Sequence, residues 1–366
     1  MNQPTQPTGS FKLTAAQLQA DAAKWEDAAR QPAAKDTAVR LRTLNYWIDE
    51  ARTQPIPQML FGEFWYEGEL CILFSDSNAG KSVLAIQIAH SIVSGEKIGP
   101  LGIETEGQPI IYFDFELSSK QIEGRYSKEW GQHYRFDETL YRADLNPDMD
   151  PPEGFNTFED YLNYSLEDAI INTGARVIII DNITYMRSEN ESAKDALPLM
   201  KHLKALKNAY GLSILALAHT PKRDQSKPIS ANDLQGSKML MNFCDSSFAI
   251  GKSNQSPDRR YLKQIKQRNT SQLYGPENVV LFDIAKPDNF LQYRFIGFAD
   301  ERQHLKEDKE QEKDELTDRV IELRKQGLSL RDTATELGIS YQKVDRLLRS
   351  FDKRSKARGD ASSTSA

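Results

Sequence analysis

The chain has 366 residues, of which 39% are hydrophobic, and its net charge at pH 7 is −6. This length allows one large domain with an appendage or two domains. The net charge argues against a uniformly basic nucleic-acid binder, so any contact with nucleic acid must come from local basic patches. Cys71 and Cys244 lie in apolar stretches without metal-ligand spacing, which is typical of reduced thiols. No secretory signal or membrane-spanning run is recognisable, and we expect a cytoplasmic protein without a membrane segment.

Residues 1–54 are predicted to form a disordered lead and a helical segment. Residues 1–10 are mostly Gln, Pro, Thr and Gly, a composition typical of disorder, whereas residues 15–52 are Ala-rich and favour helix. Trp25 and Trp47 could contribute to apolar helix faces. Such a segment either caps the core of its own chain or packs as an arm on a neighbouring subunit.

A strand, a tight loop and a helix follow one another from residue 70 to residue 89. Residues 70–74 are an apolar run, and residues 83–89 have the apolar spacing of a helix. The loop between them ends in Gly-Lys-Ser, the second half of the phosphate-binding P-loop signature. Backbone N–H groups at the start of such a helix bind anions, and the helix dipole strengthens the attraction. The predicted phosphate-binding residues are Ser77, Asn78, Ala79, Gly80, Lys81, Ser82 and Val83.

The last residues of this loop have distinct predicted roles. Gly80 lets the backbone approach a phosphate because it has no Cβ. Lys81 places a positive charge among the β- and γ-phosphates, and the Ser82 hydroxyl can ligate Mg²⁺. The signature departs at its first position, where Ser75 replaces glycine, and a Cβ is tolerable there if the backbone φ stays negative. The alternatives are an ordinary strand-to-helix turn and a non-catalytic adaptor with a degenerate nucleotide site.

A second apolar run, residues 110–116, ends in Glu116 and is typical of a buried parallel strand. Open α/β sheets bind ligands at the carboxyl ends of their strands, so Glu116 could orient and deprotonate a water beside the γ-phosphate. Asp114 shares its strand face and is a second candidate base. The alternative is a solvated strand end that caps the next helix. Residues 134–158 are interpreted as an irregular surface excursion.

Two later apolar runs end in Asp181 and His219. In P-loop enzymes an Asp at the first of these places holds the magnesium ion, so Ser82 and Asp181 are the predicted metal ligands. His219 is expected to emerge at the same sheet edge as Glu116 and Asp181, where it could sense the γ-phosphate. A purely structural hydrogen bond is the alternative for this histidine.

The loop after His219, residues 221–232, is rich in Lys, Arg, Asp and Ser. In a ring-shaped ATPase such a loop could face the central channel and contact DNA phosphates through Lys222 and Arg223. An ordinary solvated loop is the alternative.

Residues 259–269 partly alternate between apolar and polar side chains and predict an edge strand with Lys266 and Arg268 on one face. These two cations are either ordinary exposed residues or reach into the nucleotide site of a neighbouring subunit. There they would neutralise charge that develops on the γ-phosphate, as an arginine finger does.

The ordered set of these motifs resembles the RecA-like ATPases, most of all the hexameric replicative helicases of the DnaB type and the plasmid RepA helicases. Residues 115–118 are similar to the second-strand motif with its catalytic Glu, and residues 218–222 to the His-Thr-x-Lys segment after the fourth strand. Residues 233–237 are similar to the Gly-Ser segment after the DNA-facing loop. Residues 266–269 are similar to the Lys-x-Arg-Asn finger that acts between subunits.

This resemblance covers residues 59–298 and implies the fold class and the cofactors. It implies an α/β RecA-like P-loop NTPase core with a mostly parallel central sheet, ATP with Mg²⁺, and a homo-oligomeric ring, often a hexamer. The residues to which it gives catalytic roles are Lys81, Glu116, His219, Lys266 and Arg268.

Five segments are therefore predicted along the chain. The disordered lead and helical segment (1–54) are followed by the RecA-like ATPase domain (55–300). A dense run of mixed charges forms a charged linker (301–315), and a small all-α helix-turn-helix (316–350) and a disordered tail (351–366) complete the chain.

The C-terminal helices carry cap and turn signals, with Ser329 and Ser340 as N-caps and Gly338 in the turn between them. Their pattern resembles helix-turn-helix modules of the resolvase or sigma-factor type. A module for protein contacts is the alternative. The residues that the resemblance places on or near the groove-facing side are Tyr341, Gln342, Lys343 and Arg346.

These features predict an ATP-hydrolysing ring ATPase that acts on single-stranded or duplex DNA, as a helicase or translocase in the replication of a mobile element such as a plasmid. The alternative is an ATP-dependent DNA-binding regulator or loader, which assembles on a duplex site through its helix-turn-helix without unwinding it.

Overall fold

The computed structural model describes residues 39–146, 149–183, 196–221, 223–234, 237–306 and 308–351 of the chain. The chain divides into two units, Met1–Ile56 and Pro57–Ala366. The first unit contains helix α1 (Leu44–Ala51), whose N-cap Thr43 accepts a hydrogen bond from the Tyr46 N–H. None of the α1 side chains is buried. The predicted disordered lead and the part of the predicted helical segment before residue 39 lie outside the described part of the chain.

The second unit is built on a sheet of nine strands, with two short two-stranded sheets beside it. The strands are β1 (Met59–Phe61), β2 (Trp65–Tyr66), β3 (Leu70–Ser75), β4 (Ile110–Asp114), β5 (Ser127–Lys128), β6 (Gln132–His133), β7 (Leu140–Asp144), β8 (Val177–Asp181), β9 (Ser213–His219), β10 (Ser246–Lys252), β11 (Arg259–Lys266), β12 (Val279–Ala285) and β13 (Gln292–Ala299). The spatial order in the large sheet is β13-β12-β11-β10-β3-β9-β8-β4-β7. Neighbours are parallel from β10 to β7 and antiparallel from β10 to β13.

The order of the strands corrects two predictions. The strand that carries Lys266, β11, is internal and not an edge strand, because β12 and β13 extend the sheet beyond it. The edge strand β7 lies within residues 134–158, which we interpreted as irregular, and it pairs in parallel with β4. None of the β7 side chains is fully buried, so no apolar run marks this strand in the sequence.

Helices cover both faces of the sheet, which explains why the inner parallel strands are unbroken apolar runs. The helices of this part are α2 (Lys81–Ser94), α3 (Ser119–Arg125), α4 (Phe158–Thr173), α5 (Ala196–Tyr210) and α6 (Ser237–Phe243). Leu84 of α2 belongs to one hydrophobic core and Leu166 of α4 to the other. Within β3, Ile72 points to the second core and Leu73 to the first, as the alternation of a strand requires. Each such fully buried side chain contributes about 1.5–3 kcal/mol to stability.

Three helices follow the sheet, namely α7 (Asp308–Lys325), α8 (Leu330–Glu336) and α9 (residues 341–351). They share a small core of Val320, Ala334, Val344 and Leu347. The Ser329 hydroxyl caps α8, and the Ser340 hydroxyl accepts a 3.2 Å hydrogen bond from a backbone N–H at the start of α9. Because α7 begins at Asp308, the second half of the predicted charged linker is helical. Among the described helices, none is both long enough and apolar enough to cross a membrane.

Candidate active site

The ends of four neighbouring strands bring together side chains that the motifs predict for nucleotide chemistry. The loop after β3 leads to Lys81, Glu116 follows β4 by two residues, and Asp181 and His219 are the last residues of β8 and β9. The last residues of β3 and β9 pair with each other in the sheet, and so do those of β4 and β8. All four side chains therefore lie at the carboxyl edge of the parallel strands, where open α/β sheets bind ligands.

The Lys81 ammonium group is buried at the centre of this cluster. Its Nζ donates to the carbonyl and hydroxyl oxygens of Ser75, each at 3.3 Å, and lies 3.1 Å from His219 Nδ1. An ammonium group has only donors, so Nδ1 accepts this bond and the His219 proton resides on Nε2. Burial lowers the pKa of Lys81, and the charges of Asp181 and Glu116 oppose that shift.

Among the described residues, Glu116 is held through a single carboxylate oxygen. Its Oε1 lies 3.1 Å from His219 Nε2 and also accepts a short hydrogen bond from Asn182 Nδ2. The hydrogen bond from His219 is the largest cause of a lowered Glu116 pKa, although burial acts in the opposite direction. A carboxylate with a lowered pKa is ionised at neutral pH, so it is in the state that can accept a proton from water.

The second candidate base, Asp114, has structural contacts instead. Its buried carboxylate pairs with Arg142 at 2.9 Å and accepts hydrogen bonds from the backbone N–H groups of Glu116 and Leu117 at 3.1 and 2.9 Å. These bonds fix the backbone that carries Glu116. We therefore do not assign a proton-transfer role to Asp114.

Asp181 and Ser82 fit a site for Mg²⁺. Asp181 is fully buried, and its Oδ2 accepts a 2.6 Å hydrogen bond from the Tyr112 hydroxyl. Within the described part of the chain Oδ1 has no hydrogen-bond partner, a costly state for a buried carboxylate oxygen that a cation would relieve. Burial raises the pKa of Asp181, and the nearby Ser82 hydroxyl works in the opposite direction, as a bound cation would.

This pair of oxygen ligands suits a metal shared with a nucleotide. No group of three or more His, Cys, Asp and Glu side chains among the described residues could hold a metal ion by itself. Mg²⁺ is usually bound by one or two protein oxygens together with substrate phosphates and water. A hydroxyl and a carboxylate at the start of α2 and the end of β8 meet that requirement.

Three side chains from the antiparallel half of the sheet fasten the phosphate-binding loop. Arg260 and Tyr293 donate to the Ala79 carbonyl oxygen at 2.9 and 3.0 Å, and Lys252 donates to the Ser77 carbonyl oxygen at 2.8 Å. These three residues are not among the site residues predicted from the sequence. Lys252 is the last residue of β10 and could have been found by the same strand-end rule as His219, whereas no local signal marks Arg260 or Tyr293.

The backbone of the loop explains which of its positions require glycine. Gly80 has φ +97° and directly precedes α2, whereas Ser75 is the last residue of β3 and has strand backbone. The condition under which a serine is tolerable at the first position of the signature is therefore met. A Cβ on Gly80 would lie 2.6 Å from Ile284 Cδ1 and 2.7 Å from the Tyr293 hydroxyl.

We expect Gly80→Ala to lower the free energy of unfolding by about 1–3 kcal/mol through backbone strain and to weaken nucleotide binding by displacing the loop. Denaturant unfolding and titration with a fluorescent ATP analogue measure the two effects. Gly95→Ala is the matched control, because Gly95 also has a positive φ, +73°, but nothing lies within 4 Å of its added Cβ. If both variants bind the analogue equally well, the close packing at Gly80 does not shape the nucleotide site.

A cavity of about 350 Å³ lies beside Asp76 of the phosphate-binding loop. Its wall includes Arg223 from the loop after β9, and Lys306 and Asp314 from the approach to and the first turns of α7. The Arg223 side chain is only 7% exposed, with its Nε 4.0 Å from Asp76 Oδ2. The Arg223 side chain thus lies beside the phosphate-binding loop, and its contact with DNA stays a prediction. The other predicted contact of this loop, Lys222, lies outside the described residues.

Lys266 and Arg268 lie far from the phosphate-binding loop of their own chain. Strand β11 contacts the loop at Arg260 and ends at Lys266, and the strand rise separates these residues by roughly 20 Å. Lys266 Nζ donates to the Cys244 carbonyl oxygen at 2.7 Å, and Arg268 pairs with Asp245 at 3.1 Å. Half of the Arg268 side chain is exposed. Neither cation reaches the cluster at the carboxyl edge of the same sheet.

Helix α9 buries one face and exposes another. Val344 and Leu347 are buried in the small C-terminal core. The residues that the resemblance places towards DNA are all exposed, namely Tyr341, Gln342, Lys343 and Arg346.

Comparison with known proteins adds a family relationship to this geometry. The family model described as AAA domain matches residues 35–225, more than half of the chain. The match includes the phosphate-binding loop and the ends of β4, β8 and β9, and it stops before β10 and the C-terminal helices. A search of curated proteins found no match.

Proposed function

The chain belongs to the AAA domain family of P-loop ATPases, and from this membership and the site geometry we propose that it is a RecA-like ring ATPase that hydrolyses ATP and acts on DNA. We propose more specifically a helicase or translocase in the replication of a mobile element. The observation that carries the proposal is the cluster at one edge of the sheet, formed by Lys81, Glu116, Asp181 and His219.

ATP binding would use the backbone and the lysine of the loop. The triphosphate lies against N–H groups at the start of α2, where the helix dipole favours an anion. Lys81 exchanges its contacts with Ser75 and His219 for oxygens of the β- and γ-phosphates. Ser82 and Asp181 would hold Mg²⁺, which when bound neutralises part of the phosphate charge.

Glu116 acts as the general base for hydrolysis. Its Oε2 accepts a proton from a water molecule whose oxygen attacks the γ-phosphorus. The bond between the γ-phosphorus and the β,γ-bridging oxygen breaks, ADP keeps the electron pair, and inorganic phosphate is the second product. His219 supports Glu116 through Nε2.

Assembly into a ring would complete this site with cations from a neighbouring subunit. Lys266 and Arg268 are too far from the loop of their own chain to contact its nucleotide, so any action on ATP requires a second subunit. Their separation from the loop supports the resemblance to arginine fingers that act between subunits. Electron microscopy with a non-hydrolysable ATP analogue and single-stranded DNA tests whether such a ring, often a hexamer, forms.

The C-terminal helices support DNA as the partner and also favour a second candidate function. Their arrangement resembles a helix-turn-helix, with Tyr341, Lys343 and Arg346 exposed on α9. Such a module could direct an ATP-dependent regulator or loader to a duplex site without any unwinding. Unwinding of a forked duplex favours the helicase, whereas a defined footprint on duplex DNA without strand separation favours the regulator.

The experiment that tests the ATPase is Lys81→Ala. We expect hydrolysis stimulated by single-stranded DNA to fall by about 10²- to 10³-fold or more, because the variant loses a preorganised charge on the phosphates. Phosphate release with and without DNA measures the change. Lys120→Ala, which removes an exposed lysine paired with Glu123, is the control and should hydrolyse ATP like the wild type. Turnover that persists in Lys81→Ala would show that hydrolysis occurs elsewhere.

A further inference from the structure

We propose that Asn182 is a positioning residue for the carboxylate of Glu116. Together with His219 it fixes one carboxylate oxygen, so that the other oxygen is presented to the attacking water. Asn182 directly follows Asp181 at the end of β8, and no motif of the sequence analysis gives it a role. The inference rests on the proposed ATPase function and adds a residue to its machinery.

The hydrogen bonds to the Glu116 carboxylate in the described ranges involve only one of its two oxygens. Oε1 accepts the hydrogen bond from Asn182 Nδ2 and lies 3.1 Å from His219 Nε2. The two donor nitrogens are themselves 3.1 Å apart, so they converge on the same oxygen. No group in the described ranges donates a hydrogen bond to Oε2. One oxygen is therefore anchored and the other is open, which is the arrangement that a general base needs.

The backbone around Glu116 is fixed to the same strand end. Asp114 accepts a 3.1 Å hydrogen bond from the Glu116 N–H, and the Phe115 N–H donates to the Asp181 carbonyl oxygen at 2.8 Å. The Glu116 side chain has three rotatable bonds and is 32% exposed. Backbone contacts alone leave its head free to turn, so the position of the carboxylate depends on the bonds to Oε1.

A neutral amide suits this position because of the charges nearby. The charged and titratable groups that face Glu116 from α2, β8, β9 and its own segment are Lys81, Asp181, His219 and Asp114. Asn182 donates an N–H without adding a further negative charge beside Glu116 and Asp181. Its side chain is also buried, 3% exposed, so water competes little for its donor.

The bond from Asn182 to Glu116 does not include Lys81, whereas His219 is itself in contact with Lys81. In this structure Lys81 Nζ lies 3.1 Å from His219 Nδ1 and steadies the imidazole ring. When ATP draws Lys81 to its phosphates, His219 loses that contact. Asn182 then remains as the constant restraint on Glu116 during turnover.

The kinetic test compares Asn182→Ala and the isosteric Asn182→Asp with the wild type. We expect kcat to fall by about 10- to 100-fold with little change in KM, because the base is no longer held against the water. Loss of the donor also raises the pKa of Glu116, so the acid limb of the kcat profile moves to higher pH. The shift of the acid limb is larger in Asn182→Asp, because the negative charge of the new aspartate disfavours ionisation of Glu116.

A measurement without nucleotide separates this inference from the proposed ATPase function. The Glu116 carboxyl carbon, assigned with the variant Glu116→Gln, is titrated by carbon-13 NMR in the wild type and in both variants. An upward shift of this titration in Asn182→Ala supports the inference even if the wild type hydrolyses no ATP, a result that counts against the ATPase alone. An unchanged titration in Asn182→Ala overturns the inference, and Asn182→Leu, which has nearly the same volume but neither a donor nor a charge, provides the answer if Asn182→Ala does not fold.

Ser213→Ala is the matched control for the loss of a buried hydrogen bond. The Ser213 hydroxyl accepts a 2.9 Å bond from the Gly68 N–H at the opposite edge of the sheet, and the residue is buried. We expect this variant to be less stable than the wild type with an unchanged pH profile. If it shifts the acid limb as Asn182→Ala does, a general loss of stability explains both shifts and the positioning role fails.

Discussion

Glu116→Gln is expected to lower kcat for ATP hydrolysis by about 10²- to 10⁴-fold while ATP affinity changes little. The amide has nearly the shape of the carboxylate and can still accept a hydrogen bond from His219, but it cannot take a proton from the attacking water. Lys81 and the backbone of the phosphate-binding loop remain intact, so binding and hydrolysis separate. Titration with a fluorescent ATP analogue and steady-state phosphate release measure the two quantities.

Asp144→Asn is the control for this variant. Asp144 is the last residue of β7, at the same sheet edge, but it is exposed and pairs with Arg142 outside the cluster. Its replacement should leave kcat unchanged. Equal losses in Glu116→Gln and Asp144→Asn would mean that neutralising any carboxylate at this edge slows the enzyme, and the assignment of the base would fail.

The pH dependence of the wild type follows from the same geometry. The hydrogen bond from His219 lowers the pKa of Glu116, so the base stays ionised at pH values where an ordinary glutamic acid begins to take up its proton. Hydrolysis should therefore be retained as the solution is acidified and be lost only when the pH falls through this lowered pKa.

The strand-end rule explains why much of the candidate site was predictable from the sequence. A buried parallel strand is an apolar run that needs no partner to be recognised, and the residue that follows it must lie at the ligand-binding edge. This reasoning placed Glu116, Asp181 and His219 at one edge, and the structure brings them together with Lys81. The family match covers the same strands and supports the P-loop ATPase assignment.

Contacts that depend on distant parts of the chain could not be predicted in this way. Arg260 and Tyr293 reach the phosphate-binding loop only because β11 to β13 extend the sheet past it, and nothing near either residue encodes that arrangement. Arg223 lies in a loop with the composition of a solvated segment, yet its side chain is only 7% exposed and lies beside Asp76. Sequence patterns involve residues that are close along the chain, whereas these contacts join residues that are far apart in sequence.

The second large effect is expected on stability. Lys263→Met should lower the free energy of unfolding by about 3–5 kcal/mol, because it leaves the buried charge of Glu301 without its cation. Lys263 is 5% exposed and Glu301 is fully buried, and the lysine Nζ donates both to Glu301 Oε2 and to the Ile229 carbonyl oxygen. Glu301 Oε1 also accepts from the Ile229 N–H at 2.7 Å and from the Tyr261 hydroxyl at 3.2 Å. Denaturant unfolding measures the loss.

The double variant Lys263→Met/Glu301→Gln separates loss of the cation from loss of packing. Its neutral amide can still accept bonds from Ile229 and Tyr261, so most of the lost stability should return. Glu301 starts the segment that leads to α7, and Lys306 in that segment donates its N–H to the Gln225 carbonyl oxygen in the loop after β9. Hydrogen exchange at the Lys306 amide should therefore quicken in Lys263→Met and slow again in the double variant. If the double variant is no more stable than Lys263→Met, packing of the lysine stem and not charge pairing holds this segment to the loop that follows His219.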